Sequence, residues 1–445
     1  MKKTLLVGAV IMVLMTILIA CSDSSNNKND SSDNQTDNAA QPVNTEPPVE
    51  KEDVKLAFSI WGSEAHKGMY EGIAAKYKEI HPHVSVDIQI IPYADYQQKM
   101  SIMLASKTAP DIAWVHEVMI PQLLATDQFL DISSVSTDVD YNFDDIFPST
   151  LDMLKKDNKN YGVAFSTPPM LMTYNKTLFE AKGLKTPTEL YKEGKWNFEE
   201  FLKAANAIAD PKNGVYGLRT SGNWSNWTAA LHWLIRSYGA SILSPDGTTF
   251  TLNTPEGELA LQTYIDMIFK DQSHPKPGDQ TAFDSGKIGM QPGLYSAVAG
   301  FRSIKDFEWD IAPLPEGPGG SGVQMGYAGY AVMKDTKHPE EAISFLKFMS
   351  NKENMITTSE FFVPSRKSVI ESDEFLNKYP HPSAESIKIA LLDQLSKAWV
   401  FVVPANWQEI NVKLGVDMDY LYTQQQTVKE VLEIMEKNAS SLMTN

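Results

Sequence analysis

Residues 54–60, VKLAFSI, form an apolar-rich run that stops at Trp61-Gly62 and predicts a strand. Between 64 and 80, Met69, Ile73, Tyr77 and Ile80 recur at spacings of four, four and three and share one helical face. His81-Pro82 then ends that helix, because the residue before a proline is pushed out of the helical region. Val84, Val86, Ile88 and Ile90 alternate with polar residues and predict a second strand. Tyr96, Met100 and Met103 mark a second helix, and residues 111–115, DIAWV, a short third strand. This strand–helix alternation predicts an α/β protein with a parallel sheet flanked by helices. Ligands of such sheets bind beyond the carboxyl ends of the strands. Trp61-Gly62-Ser63-Glu64 and His116-Glu117 both fall at such ends.

The later chain continues in kind. Asn197 with Glu200 resembles a capping box, followed by Phe201, Leu202, Ala205 and Ile208 at helical spacing. Phe345, Leu346 and Met349 mark a helix entered at Pro339, and Ile387, Leu391, Leu395 and Ala398 predict another. Thr427 with Glu430 opens a last one carrying Val428, Val431, Leu432 and Met435. No internal repeat is visible.

The amino-terminal end has a different character. Lys2 and Lys3 precede an uncharged, mostly apolar run over 5–19, short for a bilayer span and suited to the core of a signal peptide. It ends Leu18-Ile19-Ala20-Cys21, and Cys21 is the sole cysteine of the 445 residues. A disulfide framework or thiolate metal cluster within one chain is therefore excluded. The ending resembles the bacterial lipoprotein box, which implies cleavage after residue 20 and lipidation of Cys21. The plainer alternative is a membrane anchor with an incidental cysteine. Two acyl chains on one residue give lasting attachment. The polar stretch that follows, 21–52 including Cys21, is too poor in apolar residues to fold and reads as a flexible tether. No later stretch is long and apolar enough to span a bilayer.

The net charge is −17, which argues against a nucleic-acid partner, since phosphate contacts need clustered Lys and Arg. The length exceeds what one hydrophobic core usually supports, so two lobes are expected.

Seven segments in order resemble the extracellular solute-binding proteins of bacterial ABC importers, in the family of maltose-type and other carbohydrate binders. They are VKLAFSIWG (54–62), ASKTAPDIAWVHE (105–117), YGVAFSTPPMLMTYNKTLFEAKGL (161–184), GKWNFEEFLKAANAIA (194–209), AFDSGKIGMQPGLYSAV (282–298), GYAGYAVMKDTKHPEEAISFLKFMSN (326–351) and VPSR (363–366). The resemblance implies an α/β, two-lobed periplasmic-binding-protein-like (type II) fold with extra C-terminal helices and a ligand cleft that closes between the lobes. By resemblance the first lobe is 53–163 with 307–350, and the second 164–306 with 351–445. It also implies a monomer without cofactor or catalytic function. Its partners would be a carbohydrate and an ABC permease, and its place the outer face of a cell membrane, Gram-positive given the long tether.

A sugar offers hydroxyls and an apolar ring face, so its site needs carboxylates, amides or Arg together with Trp or Tyr. Trp61 and Glu64 follow the first strand; a lobe-packing indole and a helix-dipole partner are the plainer readings of the two. Glu117 falls where maltose-type members carry a sugar-binding acid, and for His116 beside it a satisfied structural histidine is the commoner reading. Trp114 reads as core. Ser166 with Thr167 occupies the crossing between lobes, where the maltose-type binder has a carboxylate that this chain lacks, which puts maltose itself in doubt. Asn223, Trp224 and Trp227 lie in a polar, turn-like stretch, SGNWSNW, where exposed indoles suggest binding. Trp233 reads as core. Tyr295 follows the family's Pro-Gly turn, whose aromatic stacks on sugar. Tyr327 lies in the glycine-bearing strand near the cleft, Arg366 is a candidate clamp for a hydroxyl or carboxylate, and Trp407 is a candidate reaching in from the C-terminal helices.

Other classes stay open. A surface glycoside-active enzyme would need two opposed carboxylates, which the many Asp and Glu leave possible. His116-Glu117 begins like HExxH, but position 120 is Ile; the loop around Ser321 is not GxSxG, because position 323 is Val. A metal-binding or peptide-binding lipoprotein, with His81 and His83 as weak metal candidates, or a sensing or adhesion lipoprotein, would share fold and anchor.

Overall fold

A computed structural model describes residues 52–220 and 227–443. The apolar patterns form eleven strands among these residues. They are β1 (Val54–Trp61), β2 (Val84–Ile91), β3 (Ile112–His116), β4 (Lys155–Lys156), β5 (Lys159–Asn160), β6 (Val163–Ser166), β7 (Leu171–Asn175), β8 (Tyr216–Leu218), β9 (Ile288–Gly293), β10 (Trp309–Pro313) and β11 (Ala328–Val332).

Five of them make one sheet in the order β2-β1-β3-β11-β6. β1 runs parallel to β2 and β3, whereas β11 is antiparallel to both β3 and β6. The carboxyl ends of β1, β3 and β6 therefore meet the start of β11 along one edge of this sheet. The helices Glu64–Ile80 and Pro339–Met349 cover it, and Tyr70, Ile73, Tyr77, Phe345 and Leu346 enter one core with Phe58, Trp114 and Tyr330. Buried aromatic and branched residues of this kind contribute about 1.5–3 kcal/mol each over leaving them exposed.

The second sheet has the order β10-β7-β9-β8, with β8 parallel to β9 and the other pairs antiparallel. Its neighbours include the helices Phe198–Ile208, Trp227–Ser237, Pro255–Phe269, Trp407–Tyr422 and Val428–Met443, which share a core around Trp233. A further cluster around Phe283, Trp309 and Ile387 also packs here. Gly217 lets β8 lie against the helix Phe198–Ile208: a Cβ there would sit 1.9 Å from the Ala205 carbonyl oxygen.

The chain crosses between the sheets three times. Residues 166–170 lead out of β6, and residues 324–328 return into β11. The two crossings are joined by Met170 N–H to the Gln324 carbonyl (2.8 Å) and Gly326 N–H to the Pro168 carbonyl (2.9 Å). The third runs through 363–370, where Thr167 N–H bonds to the Val363 carbonyl. These crossings correct the expected boundaries. β10 pairs with β7, so the segment from 307 belongs to the second lobe until about 323. Met355, Phe361 and Phe362 pack in the first core, so that lobe extends past 350. Ala164 and Phe165 likewise remain in the first core. The helix expected to run from Ile387 to Ala398 stops at Ala390 and gives way to a short 3-10 turn, Leu392–Gln394.

Candidate functional site

Trp61 is the last residue of β1 and His116 the last of β3, so parallel pairing places both side chains at the same end of the sheet. Gly62 turns the chain sharply there with φ +124°, a conformation that favours glycine. The Trp61 ring packs edge-on against Trp114 (4.8 Å between centroids), Tyr96 (5.1 Å), His116 (5.5 Å) and Tyr93 (5.8 Å). Tyr93 also meets His116 at 5.6 Å, yet keeps 51% of its surface open. Tyr93 carries no signal in the sequence, because it opens the helix Tyr93–Ala105 ahead of the apolar face that marks that helix.

Glu117 follows directly. Its carboxylate accepts a hydrogen bond from the Tyr327 N–H at 3.2 Å, one residue ahead of β11. Burial pushes the carboxyl up to about 7, with the Glu117 and Tyr327 N–H groups opposing the rise. Burial holds His116 down at about 4, so its ring is neutral at pH 7, and its Nδ1 is buried without a hydrogen-bond partner. The buried Tyr327 hydroxyl also lacks one. Ser166 ends β6 and pairs with Ala328, so it too lies at this edge, fully buried. Glu64, exposed, begins the helix after β1. The edge thus brings together Trp61, Glu64, His116, Glu117 and the backbone of Tyr327, and adds Tyr93; Ser166 is 3% exposed and the Tyr327 side chain packs in the first core, so neither offers a ligand an open face. His66, also not singled out from the sequence, caps its own helix through Ser63 and stacks on Phe361 at 4.3 Å.

Three readings are corrected. Arg366 is 2% exposed and donates to the carbonyls of Ser350, Asn142 and Tyr141 and to Asp145. It clamps the 141–145 segment to the first lobe, leaving no open face for a ligand. Tyr295 is 2% exposed, with its hydroxyl accepting from Arg302 and its ring against Phe375. Its neighbour Leu294 is the residue beside the crossings: a Cβ on Gly326 would meet Leu294 Cδ1 at 3.0 Å and Pro168 Cγ at 3.4 Å. Trp407 is buried in the second core against Phe401. Trp114 and Trp233 are core, as their spacing indicates. Cys21, Asn223 and Trp224 lie outside the described residues; Trp227 opens the helix Trp227–Ser237, with its side chain outside them.

Among the described residues, no group of three His, Cys, Asp or Glu side chains is arranged to hold a metal ion. No helix among them is long and apolar enough to cross a membrane. The site offers an aromatic wall and a carboxyl poised between charged and neutral forms, at a sheet edge beside three chain crossings. This defines a two-lobed binding protein of the α/β class. Residues 62–356 match the profile of the bacterial extracellular solute-binding protein family, and the chain belongs to that family. The arabinooligosaccharide-binding protein of Halalkalibacterium halodurans is 22% identical over 84% of this chain and 87% of its own. The fold is shared with an ABC substrate-binding protein of Listeria monocytogenes solved in complex with cycloalternan. That match has a TM-score of 0.79 and 22% identity, over 88% of this chain and all of the other. A solute-binding protein of Thermotoga lettingae bound with α-D-tagatose superposes with a TM-score of 0.77 and 18% identity, over 88% of this chain and all of the other.

Proposed function

We propose that this protein is the substrate-binding component of an ABC importer for a sugar or oligosaccharide, held at the outer membrane face by a lipid on Cys21. The observation that carries the reading is the corner made by Trp61, Tyr93, His116 and Glu117. The open face of Tyr93, braced by Trp61, suits the apolar face of a pyranose or furanose ring. Glu117, half protonated near neutral pH, either accepts from or donates to a sugar hydroxyl. Relatives that bind an arabinooligosaccharide, cycloalternan or tagatose support the sugar class. Nothing in this arrangement needs a chemical step. Binding energy goes into shifting an open–closed population, and the closed form is the one a permease recognises.

The test is thermal shift with intrinsic tryptophan fluorescence on residues 51–445, which form a compact unit of their own, against mono- and oligosaccharides. A ligand of the folded form raises its apparent stability by mass action, by about 2.7 kcal/mol at a hundredfold excess over Kd. A shift with one sugar class, lost in Trp61→Ala, is the expected result. A response to peptides or metal ions with none to sugars would overturn the sugar assignment.

A further inference from the structure

A cavity of about 520 Å³ opens in the second lobe, apart from the Trp61–Glu117 corner. One wall is the end of the helix Trp227–Ser237 and the loop after it, including Arg236, Leu243 and Pro245. The other is residues 399–402, with Trp399 and Val402. That volume lies within the usual range of small-molecule sites.

Unpaired polar nitrogens lie in and behind its wall. The Arg236 guanidinium lies over the Trp399 ring at 4.9 Å. His232, one helical turn before Arg236, packs edge-on against Trp399 (4.6 Å) and Phe401 (4.1 Å). In this one contact group, Arg236 Nε, Trp399 Nε1 and His232 Nε2 are all buried without a hydrogen-bond partner. Arg236 has no carboxylate partner among the described ion pairs. A cation near a helix C-terminus and over an indole is favourable in itself, which explains why an arginine stands there. It does not explain three unmet nitrogens together, since a buried polar group left unpaired is costly. Guanidinium N–H groups are strict donors and Arg236 lines the cavity, so what pairs with it there is an acceptor.

We propose that this cavity is a second ligand site, distinct from the interlobe cleft, that takes a small organic anion: one carboxylate on a flat, apolar body. The carboxylate pairs with Arg236, whose planar fork matches it in geometry. Leu243, Pro245, Phe401 and Val402 line the apolar part. Glu256 on the same wall opposes a second negative charge and selects monoanions over polyanions.

The test titrates sodium benzoate, with benzamide as its neutral isostere, into the ¹⁵N-labelled protein of residues 51–445. The Trp399 indole N–H resonance, assigned by its absence in Trp399→Phe, is the reporter. Benzoate should move that resonance saturably and benzamide should not. Arg236→Gln should weaken benzoate binding at least tenfold, while Glu117→Gln, in the other lobe, should leave it unchanged. Absence of a saturable shift with benzoate in the unaltered protein overturns the proposal whatever the fold of the variants. An equal response to benzamide, or one lost in Glu117→Gln, overturns it as well. Because neither reporter residue belongs to the Trp61–Glu117 corner, these outcomes are independent of whether that corner binds a sugar.

Discussion

The Glu117 carboxylate and the Tyr327 N–H are 210 residues apart in sequence and 3.2 Å apart in space. The bond ties the end of β3 to the segment that returns from the second lobe into β11. The carboxyl at this junction is held up at about 7 by burial. Between about pH 4.5 and 7 the folded form therefore keeps a proton that the unfolded chain has lost. By linkage, stability is greatest below this window and falls as pH rises through it. Glu117→Gln should remove the dependence, gaining on the order of 2 kcal/mol relative to the parent between pH 5 and pH 8. Denaturant unfolding of both proteins at the two pH values measures the difference, and parallel curves would refute the assignment.

Tyr93 and Tyr295 should separate binding from folding. Tyr93→Ala removes an exposed ring and should cost about tenfold in sugar affinity, roughly 1.4 kcal/mol, with almost no change in melting temperature. Tyr295→Ala empties a packed position and should destabilise the fold by about 3–5 kcal/mol. Calorimetric titration beside thermal melts reads both effects; a Tyr93 variant with full affinity would remove it from the site.

Arg366→Met leaves Asp145 and the carbonyls of Tyr141, Asn142 and Ser350 without the cation that joins them. A loss of about 3–5 kcal/mol is expected. Arg366→Lys should recover less than half, because an ammonium cannot reproduce the planar fork that reaches several segments at once. Urea midpoints of the three proteins decide this.

Cys21→Ala should move the protein from the membrane fraction to the medium or the soluble fraction and abolish incorporation of labelled fatty acid. Retention of the variant in the membrane, with label still attached, would defeat the lipid-anchor reading.

The sequence is most informative where a residue's environment is local. The helix expected over 64–80 forms over Glu64–Ile80, and β1 and β2 begin where their alternation begins. The Thr427–Glu430 pair closes a capping box whose two partners are three residues apart. Arg366 is the opposite case. Its partners lie up to 225 residues away and are mostly carbonyl oxygens, which every residue carries, so its composition and spacing do not distinguish a structural clamp from a ligand clamp. Tyr295 was drawn to the cleft by a family turn. The Pro292-Gly293 pair is the paired end of β9, not a turn, and the Tyr295 ring beyond it packs in a core with Phe283 and Phe375. Tyr93 was invisible for a further reason: its value lies in exposure, and no pattern in one sequence reports which aromatic is left uncovered.

The position of β11 has a consequence for how the molecule comes into being. This strand lies between β3 and β6, bonded to both, yet it follows them by more than 150 residues. Until it emerges, β3 and β6 present unpaired edges, and Tyr330 is missing from between Phe58 and Phe165. The first lobe therefore cannot close during most of synthesis, and every strand of the second sheet must appear before it does. Such delayed, long-range pairing slows folding. It leaves the early chain dependent on protection of its bare strand edges while it waits.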